Sequence, residues 1–111
     1  MESKELKGLL EKDPQSVIII DVREVNEFSD EPLLVNRPSN YQNIPLGIIH
    51  ALPKEELLIR LESIALDNGK NLEETTLVVS CRSGGRSSLA QEHLQAHGIE
   101  VENLEGGYLG W

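Results

Sequence analysis

Hydrophobic positions along the chain follow a helical spacing in some stretches and form solid apolar runs in others. Ser3 to Lys12 carries Leu6, Leu9 and Leu10 at helical spacing, which predicts a short amphipathic helix ended by Asp13-Pro14. Val17-Ile18-Ile19-Ile20 is a β-branched run of the kind found in strands covered on both faces, and Asp21 closes it at the carboxyl end. Glu24 to Ser29 reads as a helical turn. Asp30 to Asn43 reads as loop, broken by Pro32, Asn36, Pro38, Asn40 and Asn43. Connections of that length tend to be functional or mobile. Gly47 to Leu52 reads as a second short strand. Pro53 then starts a helix with Leu57, Leu58, Leu61, Ile64 and Ala65 on one face, ending at Asn68-Gly69. Leu77-Val78-Val79 is a third strand running into Ser80-Cys81, and Leu89 to His97 is a helix stopped by Gly98. Ile99 to Leu104 reads as a fourth strand before Gly106-Gly107. The alternation predicts an α/β fold: a mostly parallel central sheet of four to five strands with helices on both faces, as one domain over 1–111. Ligands in such sheets bind outside the carboxyl ends of the strands, where Asp21 and Cys81 both fall.

Composition narrows the function classes. Hydrophobic residues at 39% and charged residues at 26% argue against a disordered tail, and 111 residues allow a core without staples. No apolar run approaches the roughly 20 residues of a membrane span, and the first dozen residues lack the apolar stretch of a secretory signal. A single cysteine forms no internal disulfide and cannot alone hold zinc. A net charge of −9 repels nucleic-acid phosphates and anionic lipids. The expectation is a small acidic protein of a reducing compartment, the cytoplasm, with no nucleic-acid or membrane partner, no cofactor and no metal. His93 and His97 lie four apart, but His50, His93 and His97 are not spaced as a zinc set with the cysteine and read as surface residues.

The distribution of charge says more than its total. From Thr75 to Gln91 there is no Asp or Glu, and that stretch holds Cys81, Arg82 and Arg86. The bland reading is a buried strand and a helix start that need no carboxylates; the sharper one is a site for something anionic. Within it, Cys81-Arg82-Ser83-Gly84-Gly85-Arg86-Ser87 follows a strand and precedes a helix. Paired glycines let the peptide curl with its N–H groups inward, and the helix N-terminus adds positive potential. A sulfur in that cradle ionises near neutral pH, which makes Cys81 a candidate nucleophile with no separate base. A lone strand-terminal cysteine is more often a small buried hydrophobe, but a packing cysteine has no use for a curled, basic loop. Arg82 and Arg86 supply donors and charge. Ser83 and Ser87 either hydrogen-bond the sulfur or cap the helix, the cap being assigned to Ser87.

With these residues in view, the chain resembles single-domain rhodanese-like sulfurtransferases. CRSGGRS at Cys81–Ser87 is similar to that family's active-site loop, in which a cysteine carries a persulfide inside a ring of backbone amides. The resemblance extends to Asp21-Val22-Arg23-Glu24 with Glu27-Phe28, to Ile44-Pro45 with Gly47 and Pro53, and to Leu104-Glu105-Gly106-Gly107 with Trp111. The chain departs from the family pattern in a longer connector between Phe28 and Ile44, in Gln42-Asn43 where a glycine-histidine pair is usual, and in Leu46 displacing Gly47 by one residue. It stops at Trp111, where relatives commonly continue into a last helix, as a trimmed chain or a module of a longer protein would.

The family is related to cysteine phosphatases whose loops place five residues between Cys and Arg. Here four separate Cys81 from Arg86, and no acid in or just after the loop could protonate a leaving alkoxide. The tighter ring fits one extra sulfur better than a phosphate. The implied reaction passes a sulfane sulfur from a small anionic donor such as thiosulfate, through a Cys81 persulfide, to a thiol or sulfur-carrier protein. Arg86 would steady the loop or the donor, Arg82 would attract the donor, and Asp21 and Arg23 are candidates for supporting the site. The other readings are a rhodanese-like interaction or sulfur-relay module docking through the Asp30–Asn43 connector, and a small cysteine phosphatase or arsenate reductase.

Overall fold

A computed structural model describes residues 1–111. After α1 (Ser3–Lys12), the chain enters β1 (Val17–Asp21), all five residues of which are buried. Side chains alternate across a strand, so Ile18 and Ile20 enter one apolar cluster while Val17 and Ile19 enter another. On the second face lie Leu6, Leu9 and Leu10 of α1 and Phe28 of α2 (Val25–Asp30), joined by Tyr108 and Trp111. On the first lie Ile49 of α3 (Leu46–Ala51), Leu57, Leu61 and Ala65 of α4 (Lys54–Asp67), and Ala90 and Leu94 of α5 (Gly85–Ala96). Burying each such isoleucine contributes about 2–3 kcal/mol, which is why the solid apolar run belongs at the centre of the sheet. The other strands are β2 (Tyr41–Asn43), β3 (Thr76–Ser80) and β4 (Glu102–Asn103). The order is β2-β1-β3-β4 and every pairing is parallel. The expected α/β sheet with helices on both faces is therefore present, with four strands, all parallel.

Four local readings are corrected. Gly47–Leu52 is not a strand but lies largely in α3. Leu46, Ile49 and Leu52 recur at three-residue spacing, Ile49 is buried while Ile48 is 41% exposed, and the Pro45 carbonyl accepts the Ile48 and Ile49 amides. The sheet edge is instead β2, taken from the end of the connector expected to be loop throughout. Tyr41 is a strong strand former whose ring is buried, and the Ile44 amide continues the pairing to the Asp21 carbonyl. Finally, Ile99–Leu104 contains only the short β4, and α5 begins at Gly85 rather than Leu89.

The register sets Asp21 beside Ser80, and the Val22 amide donates to the Ser80 carbonyl at 2.8 Å. The turn after β1 and the loop after β3 thus leave the sheet side by side.

Candidate active site at the strand ends

β3 delivers Cys81 one residue past its last paired position. The chain then turns through Gly84, whose φ of 105° is a left-handed angle that disfavours any side chain. This glycine is the N-cap of α5, and its N–H donates to Cys81 Sγ at 3.0 Å. Of the glycine pair only Gly84 uses that freedom; Gly85 is an ordinary first helical residue. Ser87 does not cap the helix, since Gly84 holds that position. Ser87 is wholly buried, with its Oγ 3.3 Å from Sγ and 3.2 Å from the Gly84 carbonyl. One hydroxyl proton serves two acceptors, and an ionised sulfur is the stronger. Burial pushes the Cys81 thiol up, but the Ser87 hydroxyl and the Ser87, Gly84 and Ser83 amides outweigh it, so its pKa lies below the ordinary thiol value. Cys81 is only 2% exposed and packs with Val79 and Ala90 in the core cluster. The packing cysteine and the cradled cysteine are the same side chain.

The two arginines of the loop do not stand free. Arg86 makes a two-pronged pair with Glu27 of α2, Nη1 to Oε1 at 2.7 Å and Nη2 to Oε2 at 3.0 Å. The Arg86 guanidinium holds Glu27 down at about 2, against the opposing effect of burial. Arg82 Nη1 lies 3.7 Å from Glu31 Oε1, with both side chains about half exposed. The acid-free stretch of sequence is therefore not acid-free in space. Sequence reasoning quoted Glu27 only as part of a motif and missed Glu31; no local pattern announces a partner 59 residues away, the separation of Glu27 and Arg86.

Asp21 and Arg23 are wholly or nearly wholly buried and face each other. Arg23 Nη2 donates to Asp21 Oδ2 at 2.7 Å and to the Glu31 carbonyl at 2.7 Å, while its Nε donates to Asp21 Oδ1 at 2.9 Å. The Tyr41 hydroxyl donates to Asp21 Oδ2 at 2.6 Å, and burial with that carboxylate pushes the phenol above its ordinary value. The pair touches no sulfur. It acts through Tyr108, over whose ring the Arg23 guanidinium lies at 5.1 Å. The Tyr108 amide donates to the Cys81 carbonyl at 2.8 Å and the Leu109 amide to the Arg82 carbonyl at 2.9 Å. This approach requires Gly107, where a Cβ would stand 2.3 Å from the Cys81 carbonyl oxygen. The Gly106-Gly107 segment is thus a clasp on the back of the loop, and Asp21–Arg23 braces the clasp.

The histidines assemble in a way the sequence reading did not anticipate. His50 on α3 meets His93 edge-on at 4.7 Å, and His93 meets His97 at 4.8 Å. Burial first, then the two neighbouring rings, lowers the His93 pKa. No group of three or more His, Cys, Asp and Glu is arranged to hold a metal ion, and no helix is long and apolar enough to cross a membrane.

Known proteins resemble this chain in sequence and in fold. A Schizosaccharomyces pombe protein named "Putative thiosulfate sulfurtransferase, mitochondrial" is 33% identical over 100 residues, which cover 87% of this chain and 64% of that protein. This chain therefore spans somewhat less than two thirds of that relative's length. The crystal structure of a rhodanese-like domain protein from Staphylococcus aureus superposes with a TM-score of 0.70 at 26% identity, covering 100% of this chain and 88% of the other. A Rhodopseudomonas palustris protein of unknown function, described as a possible tyrosine phosphatase, superposes with a TM-score of 0.71 at 21% identity over 99% and 76% of the two chains, a likeness of fold alone. The family model of the rhodanese-like domain matches residues 2–111, so that both core faces, the cysteine loop and its clasp fall inside the match, and the chain belongs to the rhodanese-like domain family.

Proposed function

We propose that the chain is a sulfurtransferase that moves a sulfane sulfur from a donor such as thiosulfate to a thiophilic acceptor through a persulfide on Cys81. The observation that carries this reading is the pair of donors on Sγ, the Gly84 amide at 3.0 Å and the Ser87 hydroxyl at 3.3 Å. In the first half-reaction the thiolate attacks the outer sulfur of thiosulfate. A new S–S bond forms, the old one breaks, and sulfite leaves with the electron pair. In the second, an acceptor thiolate attacks the outer sulfur of the persulfide and Cys81 returns as a thiolate. Fixed amides stabilise negative charge on sulfur in both halves without having to reorganise. Arg86, tied to Glu27, steadies the loop; Arg82, half exposed, is the cation that meets a donor. A thiol or a sulfur-carrier protein would serve as acceptor.

Mass spectrometry after thiosulfate treatment tests this. The expected product is a single adduct of about 32 Da, one sulfur, on Cys81, removed by cyanide or dithiothreitol and absent in Cys81→Ser. No adduct, with hydrolysis of an aryl phosphate instead, would favour a phosphatase; Arg86 turned to Glu27 speaks against that reading. A docking or relay module is the second reading, supported by Val35, which stands 81% exposed on the connector.

A further inference from the structure

We infer that Glu31 sets the charge of the donor this site accepts, favouring monoanionic sulfane-sulfur donors (thiosulfonates and persulfides) over a dianion such as thiosulfate. The inference rests on the sulfur-transfer reading and narrows its donor. Arg82 is the more exposed of the two loop arginines, yet its guanidinium lies 3.7 Å from Glu31, next to the end of α2. The guanidinium of Arg86 has one Nη on each Glu27 oxygen, and Arg23 is committed to Asp21 inside the protein. The three arginines around the loop thus face three carboxylates. Three such pairs cancel, so with an ionised Cys81 the loop and these partners together carry one net negative charge. A donor enters against that charge, and each further charge on it adds to the repulsion. What attracts the reacting end of the donor is the amide cradle, which needs only the single charge on the terminal sulfur.

Glu31 acts on the donor through Arg82 and is a positioning residue. Arg23 uses only its backbone carbonyl, and the side chain is 49% exposed, so its substitution leaves the fold in place. The test compares methanethiosulfonate and thiosulfate, which differ by one charge at similar size and deliver the same outer sulfur, with methanesulfinate or sulfite leaving. In Glu31→Gln, kcat/KM for thiosulfate rises about fivefold relative to methanethiosulfonate, through KM rather than kcat, and the gain shrinks in about 0.5 M salt. Glu31→Asp, which keeps the charge, retains the wild-type ratio. Equal changes for both donors in Glu31→Gln, or no change, overturn the inference while leaving sulfur transfer intact. Absence of the sulfur adduct with either donor in the wild-type protein overturns the sulfur-transfer reading and the inference together.

Discussion

Replacing Ser87 with alanine removes the one hydroxyl that donates to the sulfur. The hydroxyl lies 3.3 Å from Sγ, while the Gly84 amide at 3.0 Å stays in place. A hydrogen bond to an ionised partner is worth about 1.5–3 kcal/mol. At this length the lower end applies, and about 1.4 kcal/mol is a tenfold fall in the thiolate fraction at pH values well below the wild-type pKa. A more basic thiolate is also a better nucleophile, by about threefold for that change. Ser87→Ala is therefore expected to alkylate with iodoacetamide about threefold more slowly than wild type on the acidic limb of the pH–rate curve and about threefold faster at the alkaline plateau. The two pH–rate curves cross. Since Cys81 is the only cysteine, mass spectrometry follows the reaction without interference. Coincident curves, or a variant faster on the acidic limb, would show that Ser87 does not stabilise the ionised sulfur.

Two further predictions follow from the groups that hold the loop. Glu27 sits at about 2 because of Arg86, so the pair stabilises the fold above the carboxylate's ordinary value of 4.5 and that contribution disappears as pH falls toward 2. With both side chains partly solvated, wild type should lose about 1 kcal/mol from this source between about pH 5 and pH 2 in urea titrations, a loss that Glu27→Gln should not show. Gly107→Ala should cost about 3 kcal/mol in the same assay, because φ is 53° and the added carbon meets the Cys81 carbonyl, whereas Gly85→Ala, a helical position with open space, should cost nothing.

Val17–Ile20 was legible because a run buried on both faces leaves no polar positions, and the helices of Ser3–Lys12 and Lys54–Asp67 because their apolar residues recur on one side. Gly47–Leu52 was not, because six residues span fewer than two helical turns, too few for the spacing to repeat, and the β-branched Ile48-Ile49 pair suits a strand equally. Cys81 and its loop were readable because glycine and cysteine mark a local geometry. Asp21 and Arg23 could be read as candidate support for the site, but not what they brace, because Tyr108 arrives from the other end of the chain. Arg82 and Arg86 gave their positions and not their partners, since Glu31 and Glu27 approach only once the sheet has formed.

The carbonyls of Cys81 and Arg82 point outward into the Tyr108 and Leu109 amides, which leaves the loop's own N–H groups free to turn toward the sulfur. Sulfur acidity is thereby wired to the docking of the last few residues. Any event that peels that segment away would quench the nucleophile without touching it, making the reactivity of a single thiol a gauge of whether Tyr108 and Leu109 are still seated.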